Sequence, residues 1–452
     1  MTNRSSHSSI HGAAPTDETG FRDVTRPIPN RSLKGSLGSL YNLNQRQLLG
    51  SNSALAEWNY VMSQTSTGSS APSAAGGADR ASVSGYSYAT KKTARGAYRE
   101  PTFQGVFRPK FIKREASEVY CVKFSPDDEY IAAALGNSMI QIYSTSSNEN
   151  VRTLTAPAEL EKDILPCTTV TFRPDAASFR NKNVLVAGYA DGRIIHWHYT
   201  SGQIISTINE PEVQINSVAY QNNTNSESGG DYFAAAGSDS YVRVYDSQNH
   251  KKLLEMNRGQ GDITAGHSSR VFSVRFHPTD RNILISGGWD NTLQFWDTRV
   301  GHSVRSIYGP HICGTDALDF NNDGSEILTA SFAKENQLQV WDYGKGELID
   351  TIPWSVMEGE RKNSLLYSGS FGKSKTQGAS QYAIGGGCGS FNEVKLFNLQ
   401  TKRAVGVVQG FTHSVYSVTM SNNEKMVAVG GAFKSVYTYD LDFHQQTSEL
   451  IY

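Results

Sequence analysis

Charge of one sign is missing from this chain. Its 42 Lys and Arg stand against 43 Asp and Glu, a formal net charge of −1, so no global field draws in nucleic acid or an anionic membrane, and any such binding has to be local. Cysteine is scarce: Cys121, Cys167, Cys313 and Cys388 form no CxxC pair and have no His at metal-ligand spacing. That pattern argues against a zinc module or a disulfide framework and reads as buried small hydrophobes in a reducing compartment. Long apolar runs are missing too. No stretch approaches the roughly eighteen apolar residues that would span a bilayer, and Met1 to Pro15 carries Ser, His and Asn where a signal peptide is continuously apolar. The expectation is an intracellular chain, cytoplasmic first and cytoskeletal or nuclear as variants, with no membrane insertion.

What is present is glycine, 41 residues, and a 10% share of aromatics. Many short strands joined by tight turns use residues this way. The chain divides near residue 100. From 1 to 100 it is poor in the apolar residues that repay the entropy of ordering, and 21 of the 28 residues from Ser63 to Thr90 are Ser, Thr, Gly or Ala, the composition of a flexible, largely disordered arm. The arm holds eleven basic and six acidic residues, a net +5 that leaves −6 on the rest. Within it, Ser53 is positioned as an N-cap, and Leu55, Trp58 and Met62 fall on one face of a short helix over 53–62. Such a helix is too short to persist alone in water. It reads either as a motif that folds onto a partner or as a segment that packs back on the rest of the chain.

From 101 to 452 one pattern recurs. An apolar strand appears at Val119 to Phe124, Thr168 to Phe172, Ile215 to Tyr220, Val271 to Phe276, Asp316 to Phe320 and Val415 to Met420, with a degenerate copy around Leu365 to Phe371. With Val122, Val170, Val218, Val274, Leu318, Ser368 and Val418 taken as equivalent, the spacings are 48, 48, 56, 44, 50 and 50 residues, the length of a four-stranded sheet. A small-residue strand follows each, then a polar turn, then an alternating strand ending in an aromatic such as Trp197, Tyr245, Trp296 or Trp341. Period-two alternation with turns every eight to twelve residues is an all-β signal.

Gly266-His267 and Trp296-Asp297 bound the fourth unit, with Trp341-Asp342 and Tyr245-Asp246 echoing the second pair. On these residues the chain resembles the WD40 repeat family. The resemblance implies an all-β, seven-bladed propeller behind the N-terminal arm, closed by a strand from the other terminus; Phe103 to Lys113 and Thr447 to Tyr452 are the candidates. It also implies a structural chain in which the Trp296 indole donates to Ser286, Ser286 bonds His267, and Asp290 holds His267. Asp191 and Asp239 occupy the matching turn position in their units.

His267, Ser286 and Asp290 are also the residue types of a hydrolase triad. Their place inside a blade, without a strained elbow or an oxyanion hole, argues against that chemistry. His196 and His198 share a strand face but lack a third ligand, so no metal is expected. Gly385 to Gly389 lacks the Lys-Ser/Thr of a phosphate loop and reads as a strand-to-turn cluster. Lys373 and Lys375 read as a solvated basic loop. No cofactor, small-molecule substrate, nucleic acid or catalysis is expected. The partners expected are proteins, met through the propeller faces and the arm in a cytoskeletal or other multiprotein assembly. The alternative is a substrate-recognition subunit of a larger enzyme complex such as a ubiquitin ligase. Trp289, Arg270, Ser238 and Ala190 are the predicted contact residues, because they sit beside the turn aspartates or at the start of an inner strand, and Trp and Arg dominate interfaces.

Overall fold

The computed structural model describes residues 100–156, 165–174, 182–221, 230–259, 264–354, 364–373 and 380–443. The arm, its 53–62 segment with Leu55, Trp58 and Met62, and the stretch from Thr447 to Tyr452 lie outside them. The described residues form 29 β-strands in seven sheets, and no described helix is long and apolar enough to cross a membrane.

Each sheet is one blade of a propeller. The innermost strands are Val119–Phe124, Cys167–Phe172, Ile215–Tyr220, Val271–Phe276, Leu318–Phe320, Ser364–Phe371 and Val415–Met420, for blades 1 to 7. Val, Ile and aromatic side chains fill these strands because branched and flat groups suit a pleated surface packed on both faces. The Ala- and Gly-rich strands come second, as in Tyr130–Leu135 and Tyr232–Gly237, where neighbouring blades press together. The end at which inner strands begin, and which carries the turn aspartates, is called the upper face here. The opposite end is the lower face.

Closure is made from the N-terminal side, and twice. Strand β2 (Phe107–Arg114) pairs antiparallel with Ser435–Leu441 as the outer strand of blade 7. Strand β1 (Thr102–Gly105) adds a fifth strand to blade 6, pairing with Arg403–Gln409. Of the two candidates for closure, the first therefore fills the position, and it also clamps a second blade. Gly105, at φ +71°, makes the turn between the two strands; a Cβ there would lie 2.1 Å from the Val405 carbonyl oxygen.

Two register expectations need correction. In six blades one residue is bulged out near the upper end of the inner strand, Tyr120, Thr168, Asn216, Phe272, Tyr367 and Tyr416. In blade 6 this puts Gly369, not Ser368, level with Val274 and Val418, since Gly369 pairs with Gly385 as Val274 pairs with Ser286. In blade 5 the regular strand begins only at Leu318. Asp316, expected to be a strand residue, instead bridges to Ser368 of blade 6 and turns its carboxylate into the central channel.

There the Asp316 side chain is 3% exposed and meets Lys123 Nζ of blade 1 at 2.5 Å and Arg275 Nη2 of blade 4 at 2.7 Å. Ser417 Oγ of blade 7 donates to it at 2.9 Å. Above it, Tyr416 stacks on Tyr120 and meets Tyr367 edge-on, with centroids 5.6 and 5.5 Å apart and all three rings buried. Inner-strand serines stitch adjacent blades: Ser217 accepts from Val274 N, Ser368 from Val418 N, and Ser417 from Val122 N, at 3.1–3.2 Å.

Candidate functional site

His267, Ser286, Asp290 and Trp296 come together in blade 4. The Trp296 indole N–H donates to Ser286 Oγ at 2.8 Å, Ser286 Oγ lies 2.7 Å from His267 Nε2, and His267 Nδ1 lies 2.8 Å from Asp290 Oδ2. With the proton on Nδ1, the chain runs from indole to hydroxyl to imidazole to carboxylate and uses every donor. Asp290 also accepts from Ser268 N and Thr292 Oγ1, at 2.9 Å each. Burial pushes the Asp290 carboxyl up, but the hydrogen bonds from His267, Ser268 and Thr292 together with the nearby imidazole outweigh it and hold it below its ordinary value. Gly266 precedes the histidine at φ +73°, where a Cβ would lie 2.4 Å from the Asn257 carbonyl oxygen, so the pair needs its glycine. The distances match a hydrolase triad, yet Ser286 is wholly buried, pairs in register with Val274 and Gln294, and already accepts the Trp296 N–H. No substrate reaches that hydroxyl.

Other blades solve the same problem with other residues. Blade 5 keeps one link, Trp341 Nε1 to Thr329 Oγ1 at 3.0 Å. In blade 3, Tyr245 donates to Glu210 Oε1 at 2.9 Å, and Arg243 and Lys252 pair with the same carboxylate. In blade 6, Trp354 Nε1 and Ser364 Oγ both donate to Glu393 Oε1, at 2.7 and 2.8 Å, with Lys395 at 3.3 Å. Gly385, in the glycine cluster, leaves room for the Trp354 ring, which a Cβ would approach to 2.9 Å. Asp191 and Asp239 do sit in the matching turns, but they hold an arginine of the next strand, Arg193 Nε at 2.6 Å and Arg243 Nη1 at 3.2 Å, in place of a histidine. His196 is buried against Ser206 Oγ, and His198 meets Ser201 Oγ. Burial, with His250 and Arg173 nearby, lowers His196 to about 3, so it is neutral at physiological pH.

Ala190, Ser238 and Trp289 occupy equivalent positions on the upper face. Each backbone N–H donates to the residue just ahead of an inner strand: Pro166 O, Gln214 O and Arg270 O, at 3.0–3.1 Å. Trp289 is half-buried, stacked on Phe272 at 5.4 Å, with its N–H on Cys313 Sγ at 3.0 Å. Arg270 lies over its ring at 5.7 Å and reaches Gln214 Oε1 at 3.4 Å. Arg270, Trp289 and Ser238 thus line neighbouring edges of blades 3 and 4, with Ala190 on blade 2. Trp289 is tied into inter-blade packing as well as facing outward. Reading the sequence missed Tyr308, at the upper end of the outer strand of blade 4, whose side chain is 77% exposed; the alternating pattern marks it only as a strand residue.

Sequence comparison agrees with this architecture. The family model described as "WD domain, G-beta repeat" matches residues 109–144 and 261–297. Among curated proteins, the chain is similar to "Cell division cycle 20.1, cofactor of APC complex" of Arabidopsis thaliana, 25% identical over 244 residues, 51% of this chain and 46% of that protein. It is similar to "Protein transport protein SEC31" of Kluyveromyces lactis, 25% identical over 239 residues, 50% of this chain and 18% of that one. It also resembles "Coronin-like protein crn1" of Schizosaccharomyces pombe, 31% identical over 111 residues, 24% of this chain and 18% of that one. The matched segments span less than half the length of each of these relatives. With seven blades, a complete Trp-Ser-His-Asp chain in blade 4 and matches to the family model at 109–144 and 261–297, the chain is a seven-bladed β-propeller that carries WD40 repeats.

Proposed function

We propose that this protein is a non-catalytic scaffold that binds other proteins through the upper face of its propeller, around blades 3 and 4. The observation that carries the reading is Arg270 lying over the half-buried Trp289 ring on the rim of blade 4, with the exposed Tyr308 at the upper end of the same blade's outer strand: aromatic and guanidinium groups on a rigid scaffold, the residue types that anchor interfaces. Ser238 and Ala190 extend it toward blade 2. The triad-like residues serve the blade, since Ser286 is enclosed. A polybasic arm on an acidic scaffold adds a second, salt-sensitive contact, suited to an acidic cytoskeletal surface such as tubulin's.

A second reading has its own support. The Arabidopsis relative is by its name the cofactor of a complex, which favours a recognition subunit serving a larger enzyme complex, with the same face presenting the target. Affinity purification with mass spectrometry separates these readings. The full chain is compared with Trp289→Ala/Arg270→Glu/Tyr308→Ala and with a chain starting at residue 101. Loss of partners in the face variant, with circular dichroism unchanged, supports upper-face binding, and the partners' identity chooses between assembly scaffold and recognition subunit. Full retention of partners by the face variant refutes the assignment of the face.

A further inference from the structure

The opposite end of the channel carries chemistry that the upper-face reading does not use. Below Asp316 the channel opens on the lower face into a cavity of about 250 Å³, lined by the lower ends of the inner strands of all seven blades. Three cations stand in its wall, Lys123 of blade 1, Arg275 of blade 4 and Lys373 from the loop that follows the inner strand of blade 6. Two carboxylates accompany them, Asp316 and Asp319. The local balance is one positive charge, and its arrangement matters more than its size. The carboxylates lie deep, with side chains 3% and 14% exposed, whereas Lys123, Arg275 and Lys373 are 22%, 18% and 32% exposed.

Hydrogen bonding sharpens the asymmetry. Asp316 spends Oδ1 on Lys123 and Arg275 and Oδ2 on Ser417. Asp319 spends Oδ1 on Lys373 and Phe320 N, and Oδ2 on Phe371 N. Both acids are therefore acceptors already in use. Lys123 commits one of its three N–H groups, to Asp316, and Lys373 commits two, to Asp319 and the Phe320 carbonyl. Lys373, read from sequence as part of a solvated basic loop, is thus fixed at a cavity wall. Thr171, Ser370 and Thr419 add hydroxyls to the same wall.

We propose that the lower mouth of the channel is an oxyanion site that takes a phosphate group. Cations reaching in from three different blades suit a tetrahedral, multiply charged oxyanion. A carboxylate carries a single charge on two coplanar oxygens and so balances fewer of them. A cavity of this volume holds the phosphate and the carbon that bears it, so the group arrives either on a soluble polyphosphate or on a phosphorylated side chain presented to the lower face. This site is independent of the upper-face patch, and its failure would leave that reading untouched.

The test is isothermal titration calorimetry on the full chain with three probes: inorganic phosphate, inositol hexakisphosphate, and a phosphoserine peptide beside its unphosphorylated form. Saturable phosphate binding is expected. Lys373→Gln should weaken it roughly tenfold, the worth of one charge-assisted hydrogen bond, and Arg275→Gln by a similar factor. Asp319→Asn should strengthen it, because a countercharge is removed while the Phe371 N–H keeps an acceptor. Lys402→Gln, whose lysine pairs with Asp350 outside the channel, should change nothing. Tighter binding of inositol hexakisphosphate than of the phosphopeptide identifies a soluble ligand, and the reverse order identifies a phosphorylated partner. No saturable binding, or equal affinity in wild type and Lys373→Gln, overturns the site. Lys373→Gln decides alone if Arg275→Gln fails to fold.

Discussion

Replacing Asp316 by alanine tests whether the middle of the channel is held by its buried charge. The carboxylate is 3% exposed and is shared by Lys123 and Arg275, which are 22% and 18% exposed. Its removal strands two cations that face the same point and leaves Ser417 Oγ without its acceptor. Breaking a buried pair from one side typically costs about 3–5 kcal/mol, because the remaining charge stays desolvated, a large share of the roughly 5–15 kcal/mol that holds a domain together. The assay is urea unfolding followed by circular dichroism at pH 7, with Lys402→Ala as a surface control expected within about 0.5 kcal/mol of wild type. A triple variant, Lys123→Met/Arg275→Met/Asp316→Leu, separates unpaired charge from lost volume. If charge is the cause, it recovers most of the loss.

The same residue sets a pH signature. Burial pushes the Asp316 carboxyl up, and Lys123 and Arg275, with hydrogen bonds from Lys123 and Ser417, more than reverse it, so the group titrates below its ordinary 3.8. A carboxyl depressed by folding gives stability that is complete above its unfolded pKa and is lost as pH falls through the folded one. Wild type should therefore lose stability more steeply below about pH 4 than Asp316→Ala does. An Asp316→Ala protein within about 1 kcal/mol of wild type at pH 7, or a triple variant as unstable as the single one, refutes the reasoning.

Three further outcomes follow from the geometry. Ser286→Ala leaves the buried Trp296 N–H and His267 Nε2 without their shared partner and should cost about 1–3 kcal/mol in urea unfolding, while any partner binding at the upper face persists. Glu115, which accepts from the Tyr143 hydroxyl, is raised by burial from 4.5 to about 7; its ionisation opposes folding, so wild-type stability should fall as pH rises from about 4.5 to 7, and Glu115→Gln should flatten that slope in thermal melts across the range. Gly105→Val forces a branched side chain onto the Val405 carbonyl at φ +71°, and should expose the pairing of β1 with blade 6 to faster amide exchange while β2 stays protected.

The repeat, and with it the fold, was legible because it is local. Alternation, a small-residue strand and a terminal aromatic fall within one blade, and so do the four residues from His267 to Trp296. What stayed hidden depends on register or on contacts between distant blades. Asp316 to Phe320 falls at the repeat spacing of an inner strand, and nothing in it says that Asp316 will leave the sheet for Lys123, 193 residues away. The offset at Gly369 is a bulge, which only the partner strand reveals. Glu210 and Glu393 replace the histidine chain with different chemistry, so a search for the family's pair passes over them. Lys373 reads as solvated until Asp319 is found beside it, and Tyr308 reads as strand until its exposure is seen.

A propeller normally gains its rigidity from neighbour to neighbour, each blade packing only on the next. This one has links across the ring. Asp316 of blade 5 joins blades 1 and 4, and Thr315 Oγ1 meets Thr169 Oγ1 of blade 2 at 3.1 Å. Because blades on opposite sides of the channel are bonded through its centre, a ligand at one end does not have to deform the other. The upper patch at Trp289, Arg270 and Tyr308 and the lower mouth at Lys123, Arg275 and Lys373 are then separate surfaces on one stiff body. That arrangement suits the scaffold proposed above, because a group bound at one surface leaves the other in place, and the double clamp of β1 and β2 keeps the ring closed.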